Sequence, residues 1–302
     1  MSYEASWELA CENAPWSARD SAGELVFDGK AWILGGYTPG RVNDVWSSED
    51  CLHWEASTTS APWPERNLPS AVVFRDGMWI MGGVGRDGRG CLSDVWFSSD
   101  GRNWEEVLHR APWGPRGAAG IVVHEDVIWI LGGFDLDGFA HYNDVWSSED
   151  GRRWERIRES SPWDRRAMHG TVVFGGGIWI LGGGVYNTAW PFNTCADFGD
   201  VWSSRKRSAW RPVTHSAKWG PRRFHSSVVY DGMIWVIAGY RKGNLGDCWH
   251  SPNGKDWYLA QSAAEWAPRH EPMCLVHRDR LWLMGGFGGT LYNDIWVLRR
   301  RS

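Results

Sequence analysis

Short runs in which apolar and polar residues alternate recur along this chain at an interval of 47 to 56 residues. Residues 120–133, GIVVHEDVIWILGG, are typical: an apolar run, a polar turn, and a second apolar run ending in a glycine pair. Alternation with period two turns one face of each run toward a core, so such a stretch predicts a β-hairpin. Downstream, DVWSSEDG and the residues after it predict a second hairpin through a tight polar turn. Each unit is therefore expected to hold four short antiparallel strands, a to d. No segment has a helical period with caps.

The repeat is marked by tryptophan, of which there are 25. Four columns of six account for all but Trp190: those beginning at Trp7, Trp16, Trp32 and Trp46. A four-stranded unit this small cannot bury both faces alone, whereas stacking around an axis covers them with neighbouring units. The last unit stops six residues after Trp296 without a strand d, and an orphan strand d lies near Trp7. The expectation is an all-β, six-bladed propeller over residues 1–302, with a strand at about residues 5–10 completing the last blade and closing the ring.

The glycine pair after strand b, the aromatic of DVW and the later tryptophan resemble the Kelch signature, and they recur over nearly the whole chain. The resemblance implies a six-bladed Kelch-type β-propeller with strand a innermost. It implies little about activity, because Kelch propellers include protein-recognition domains, the copper enzyme galactose oxidase, nitrile-specifier proteins and sialic-acid mutarotases.

Charge and composition narrow the partners. A net charge of −4 favours neither nucleic acid nor an anionic membrane surface. No apolar run is long enough for a membrane helix, and the first 30 residues lack a signal peptide's apolar core. The six cysteines are scattered without a CxxC pair, so no metal or cofactor is expected and a reducing, cytoplasmic location is the default.

Comparing the six repeats with one another separates folding residues from candidate site residues. What recurs six times is expected to be structural, as for the column tryptophans and the aspartates of DVW. An arginine column (Arg19, Arg66, Arg116, Arg166, Arg222, Arg269) leaves two roles open. Its members can stack on tryptophan and bond carbonyls, or project into the channel and hold an anion. Arg19 and Arg269 are candidate ligand contacts on the second reading.

The residues after each arginine do not repeat. They offer Asp20, Asn67, Arg223, His270 and Glu271 from blades one, two, five and six, and small or apolar residues from blades three and four. The d–a and b–c loops share one face, where Tyr37, Tyr240 and Phe287 follow the end of strand b and form either a collar or packing. Blade four has the long b–c loop, with Tyr186, Trp190 and Phe192, which is expected to act as a lid or a binding element.

These features predict a ligand-recognition site on the d–a/b–c face for a small polar or anionic molecule, or a peptide. A protein partner there remains an alternative. So does a metal-free isomerase, mutarotase or lyase using His270, Glu271 and Asp20 for acid–base chemistry. His169 and His225 share one repeat position and are expected to be satisfied structural histidines. A copper-site constellation, a nitrile-specifier iron motif, a P-loop and a nucleophile elbow are all absent.

Overall fold

A computed structural model describes residues 5–85, 90–137, 139–186, 195–205 and 209–300. These residues form six blades of antiparallel strands with no helix among them. In blade one, strands a to d are Gly23–Phe27, Lys30–Thr38, Gly40–Ser48 and Glu55–Thr58. In blade three they are Gly120–His124, Val127–Leu131, Val145–Ser148 and Glu155–Arg158. Blade six consists of Met273–His277, Arg280–Met284 and Ile295–Arg300, completed by Ala5–Cys11. Trp7 pairs with Leu298 and Leu9 with Trp296, so the expected closing strand is in place.

Each tryptophan column has its own packing role. Indoles of the first two columns meet edge-to-face in all six blades, from Trp16–Trp54 at 6.4 Å to Trp219–Trp257 at 5.8 Å. The closing strand obeys the same rule, since Trp7 meets Trp266 at 6.1 Å. The third column lies on strand b, and each indole N–H donates to a carbonyl five residues earlier, as Trp32 does to Phe27. The fourth donates to the aspartate two residues before it, as Trp46 does to Asp44 at 2.7 Å. Edge-to-face pairs add about 0.5–1.5 kcal/mol each beyond the area they bury.

The arginine column ties blades together. Arg66 is fully buried, and its guanidinium grips Asp94 with two bonds of 2.8 and 2.6 Å while also donating to the Gly82 carbonyl. The same fork recurs in every blade, from Arg19–Asp44 to Arg269–Asp294. The backbone of these arginines bonds the preceding blade, as Gly83 N–H donates to the Arg116 carbonyl and Gly286 N–H to that of Arg19. Gly83 and Gly286 have φ of 98° and 97°, and a side chain there would strike the neighbouring loop. A charged pair in so dry a place holds only because its hydrogen bonds are complete.

Candidate functional site

The d–a loops converge on the propeller axis. Ser21, Leu68, Ala118, Met168, Phe224 and Glu271 are equivalent residues, and all six have φ between 50° and 56°. In this left-handed conformation their backbones link blade to blade: Leu68 N–H donates to Ser21 O, Ala118 to Leu68, Met168 to Ala118, Phe224 to Met168, and Glu271 to Phe224. Among the described residues the sixth junction, between blades six and one, is carried by side chains instead. This ring narrows the channel above a cavity of about 340 Å³ lined by the ring and by the first residues of the a strands.

At that junction Ser21 Oγ lies 2.8 Å from Asp20 Oδ1 and in tight contact with Glu271 Oε2. A hydroxyl carries one proton, so it can donate to only one of the two carboxyls, and the other must itself donate to Ser21. Burial pushes Glu271 well above the ordinary carboxylate range, and the charge of Asp20 adds to this. Burial also raises Asp20, to about 6, against the Ser21 hydrogen bond and the positive charge of Arg41. At neutral pH the protonated Glu271 therefore donates to Ser21, which donates to ionised Asp20.

Donor atoms of Asp20, His270 and Glu271 lie within 4.8 Å of one another, a span that a cation can bridge. Here the Ser21 hydroxyl and the shared proton already join the two carboxyls, and we read the cluster as holding a proton. His270 is boxed by Phe224, Tyr240 and Phe287, with ring centroids 5.4–5.6 Å away. Burial in that box, with the charge of Arg223, lowers its pKa to about 4 and leaves it a neutral imidazole. Its Nδ1 meets Asn244 Oδ1 at 2.6 Å.

The structure thus brings Asp20, His270 and Glu271 together and uses Tyr240 and Phe287 to pack His270 rather than to form a collar. Arg223 faces the same histidine, yet its guanidinium is paired with Asp197 and stacked over Tyr240 at 5.0 Å. Asn67 accepts a 2.7 Å bond from Arg41, which also covers the half-exposed Tyr37. Arg19 and Arg269 depart from the expected ligand role, because both are buried and held by Asp44 and Asp294. The backbone of Tyr186 pairs with Cys195 in a short ribbon, while Trp190 and Phe192 fall outside the described residues.

An apolar sector completes the mouth: Val84, Phe134, Ala167 and Met168 are buried together, with Leu68, Ala118 and Phe224 against them. That is the greasy half expected from blades three and four, extended into blade two. Sequence reading passed over Arg41, Glu24, Thr171 and Ser227, and it took His169 for a satisfied histidine, whereas neither of its buried ring nitrogens makes a hydrogen bond. Arg41 is a charge at the start of blade one's strand c, paired across from Tyr37, that had to be weighed with its neighbours. The other four lie on or beside strand a, where an alternating run reads simply as core.

A profile of the KLHDC2/KLHL20/DRC7 Kelch-repeats domain matches residues 3–183, more than half of the chain. The chain belongs to that Kelch-repeat family. Among solved structures, that of YjhT superposes with a TM-score of 0.76 over 95% of this chain and 96% of that one, at 15% identity. So low an identity speaks for the fold alone. No curated protein matches the chain. Kelch propellers mediate protein or small-molecule interaction, and recognition of that general kind is what family and fold support here.

Proposed function

We propose that this Kelch propeller binds a small polar molecule on its axis, against the ring of d–a residues, rather than a peptide across its face. The observation that carries the reading is the chain from Glu271 through Ser21 to Asp20, set at the edge of a cavity of about 340 Å³. Small-ligand sites are typically concave, largely apolar and furnished with a few convergent polar groups. The apolar sector of blades two to four and the polar junction of blades six and one supply both parts. Tyr240 and Phe287, which would have offered a peptide part of a broad rim, are instead packed around His270. The buried free thiols of Cys51, Cys248 and Cys274 suit a reducing, cytoplasmic setting.

The proton chain favours a second reading of the same site. A protonated Glu271 can give a proton, ionised Asp20 can draw one through Ser21, and neutral His270 stands beside both. Metal-free isomerisation, mutarotation or elimination requires an acid and a base so placed. Saturation-transfer NMR with a library of small polar molecules tests binding. Hits abolished by Ser21→Ala and Glu271→Ala support the axial site; hits that survive both, or that contact the a–b and c–d turns, overturn it. For a hit that is turned over, Glu271→Gln keeps a donor but cannot release a proton. It should hold the ligand and lose turnover.

A further inference from the structure

The first residue after a column arginine reaches back to the preceding blade wherever it is polar, with one exception. Asn67 accepts from Arg41, Arg223 pairs with Asp197, and His270 Nδ1 meets Asn244 Oδ1. The three partners hold one register position, each paired across its b–c connection: Arg41 with Tyr37, Asp197 with Gly184 and Asn244 with Tyr240. In blade six that position is Leu291, paired with Phe287. Asp20, the equivalent residue of blade one, therefore has an apolar residue where the others find a polar partner.

Asp20 is only 6% exposed, and among the described residues its carboxyl makes a side-chain hydrogen bond to Ser21 alone. The carboxyl of Glu271 likewise bonds only Ser21. A buried carboxylate ordinarily takes several donors, since its two oxygens offer about four acceptor sites. Both acids thus hang on one hydroxyl with acceptor capacity left over. His270 stands with them, and one donor atom from each of the three lies within 4.8 Å of the others.

His270 is prepared as a third ligand. Asn244 Oδ1 can only accept, so the imidazole gives it Nδ1–H and keeps the lone pair on Nε2. A second nitrogen fixed in this way is the usual arrangement behind a metal-bound histidine. Tetrahedral ligands about 2.1 Å from an ion stand about 3.4 Å apart, so the cluster has to close by at most about 1.4 Å. Two carboxylates balance the charge of a divalent ion, which a site so poor in water requires. Of the two nearby guanidinium groups, that of Arg223 is matched by Asp197 and that of Arg41 is bonded to Asn67.

We propose that Asp20, Glu271 and His270 form a site for a divalent transition-metal ion, Zn²⁺ by preference, at the seam between blades six and one. The ion takes the place of the proton that the two carboxyls share through Ser21, and that proton leaves to solvent. One imidazole with two carboxylates suits zinc better than magnesium or calcium, which favour oxygen ligands throughout. Three protein ligands leave a further position for a water or for an oxygen of an axial molecule. The inference goes beyond the axial binding reading and does not need it, since the ion binds without any organic ligand. A cation seated here also occupies the acid and the base of the second reading and would silence them.

Calorimetric titration of the full chain with zinc chloride, with no organic ligand present, tests the proposal. One ion per chain should bind, at least about 100-fold more tightly than Mg²⁺. The near-isosteric changes Asp20→Asn and Glu271→Gln should each weaken zinc at least about tenfold, and Asn244→Ala, which frees the imidazole, by about 10–100-fold. His270→Gln should weaken Zn²⁺ more than Mn²⁺, which depends less on imidazole; a merely structural histidine would weaken both alike. Cys11→Ser, which removes a partly exposed thiol, should change nothing. Absence of zinc binding overturns the proposal, and so does equal affinity for Mg²⁺. Zinc that is lost in Cys11→Ser and kept in the Asp20 and Glu271 variants overturns it too. A failed zinc titration leaves the axial reading standing, and a failed ligand screen leaves the zinc site standing.

Discussion

The blade interiors and the channel wall are built on the same six-fold scaffold and use it in opposite ways. Inside the blades backbone and side chain repeat together: every blade has the same arginine fork on the same aspartate and the same indole on that aspartate. Around the axis only the backbone repeats. Six residues share φ within a few degrees, yet their side chains are Ser, Leu, Ala, Met, Phe and Glu. Where chemistry repeats, the fold requires it; where conformation repeats and chemistry does not, the fold offers positions that a ligand can select.

The sharpest way to break that contrast is to remove an arginine fork. Arg66→Ala strands Asp94 as a buried, unpaired charge and should destabilise by about 3–5 kcal/mol in a urea titration. Glu271→Gln, at the junction of blades six and one, should cost far less. Equal losses would mean that the channel cluster is as structural as the fork. Trp129, 2% exposed on strand b of blade three, should cost about 3–5 kcal/mol when replaced by alanine, measured in the same way.

The pH dependence of stability distinguishes the two regions again. Burial raises Glu24 from 4.5 to about 8, so the folded state binds this proton more tightly than the unfolded chain does. Its contribution is present below about pH 4.5 and is lost as pH rises toward 8. His169 has the opposite sign: its folded pKa falls from 6.5 to about 3, so stability is lost as pH drops through that window. Between pH 6.5 and 8, stability should therefore decline with pH, and Glu24→Gln should flatten that decline in melts across the range. An unchanged slope would remove Glu24 from the wall's titration.

Smaller effects probe the ring backbone. Ala118 has φ of 50°, where a Cβ costs about 1 kcal/mol. Ala118→Gly should be neutral or stabilising by up to about 1 kcal/mol despite the greater freedom it gives the unfolded chain. A clear loss would mean that packing of the Ala118 methyl matters more than strain. Smallest of all, Tyr258→Ser on the outer strand of blade five, where the ring is 43% exposed, should stay within about 0.5 kcal/mol.

Much of the fold could be read in advance because period-two alternation, polar turns and four tryptophan columns are local or strictly periodic signals. Closure was legible from one orphan strand, since a free edge at the last blade has no other partner in the chain. Asp20, His270 and Glu271 stood out because they fall on two adjacent positions after the column arginine where the residues do not repeat. The arginine forks were half legible: two columns of opposite charge, six members each, lie 25 to 34 residues apart, but only a side-chain direction decides between channel and blade interior.

What the sequence determined by itself was the six-fold repetition, because burying an alternating strand on both faces leaves stacking around an axis as the solution. Tertiary structure alone decided what meets at the centre. Ser21 is 250 residues from Glu271, and their shared proton exists only because the ring closes on itself. The axial cavity exists for the same reason: six inner strands converge around it, and the space they leave belongs to no single repeat.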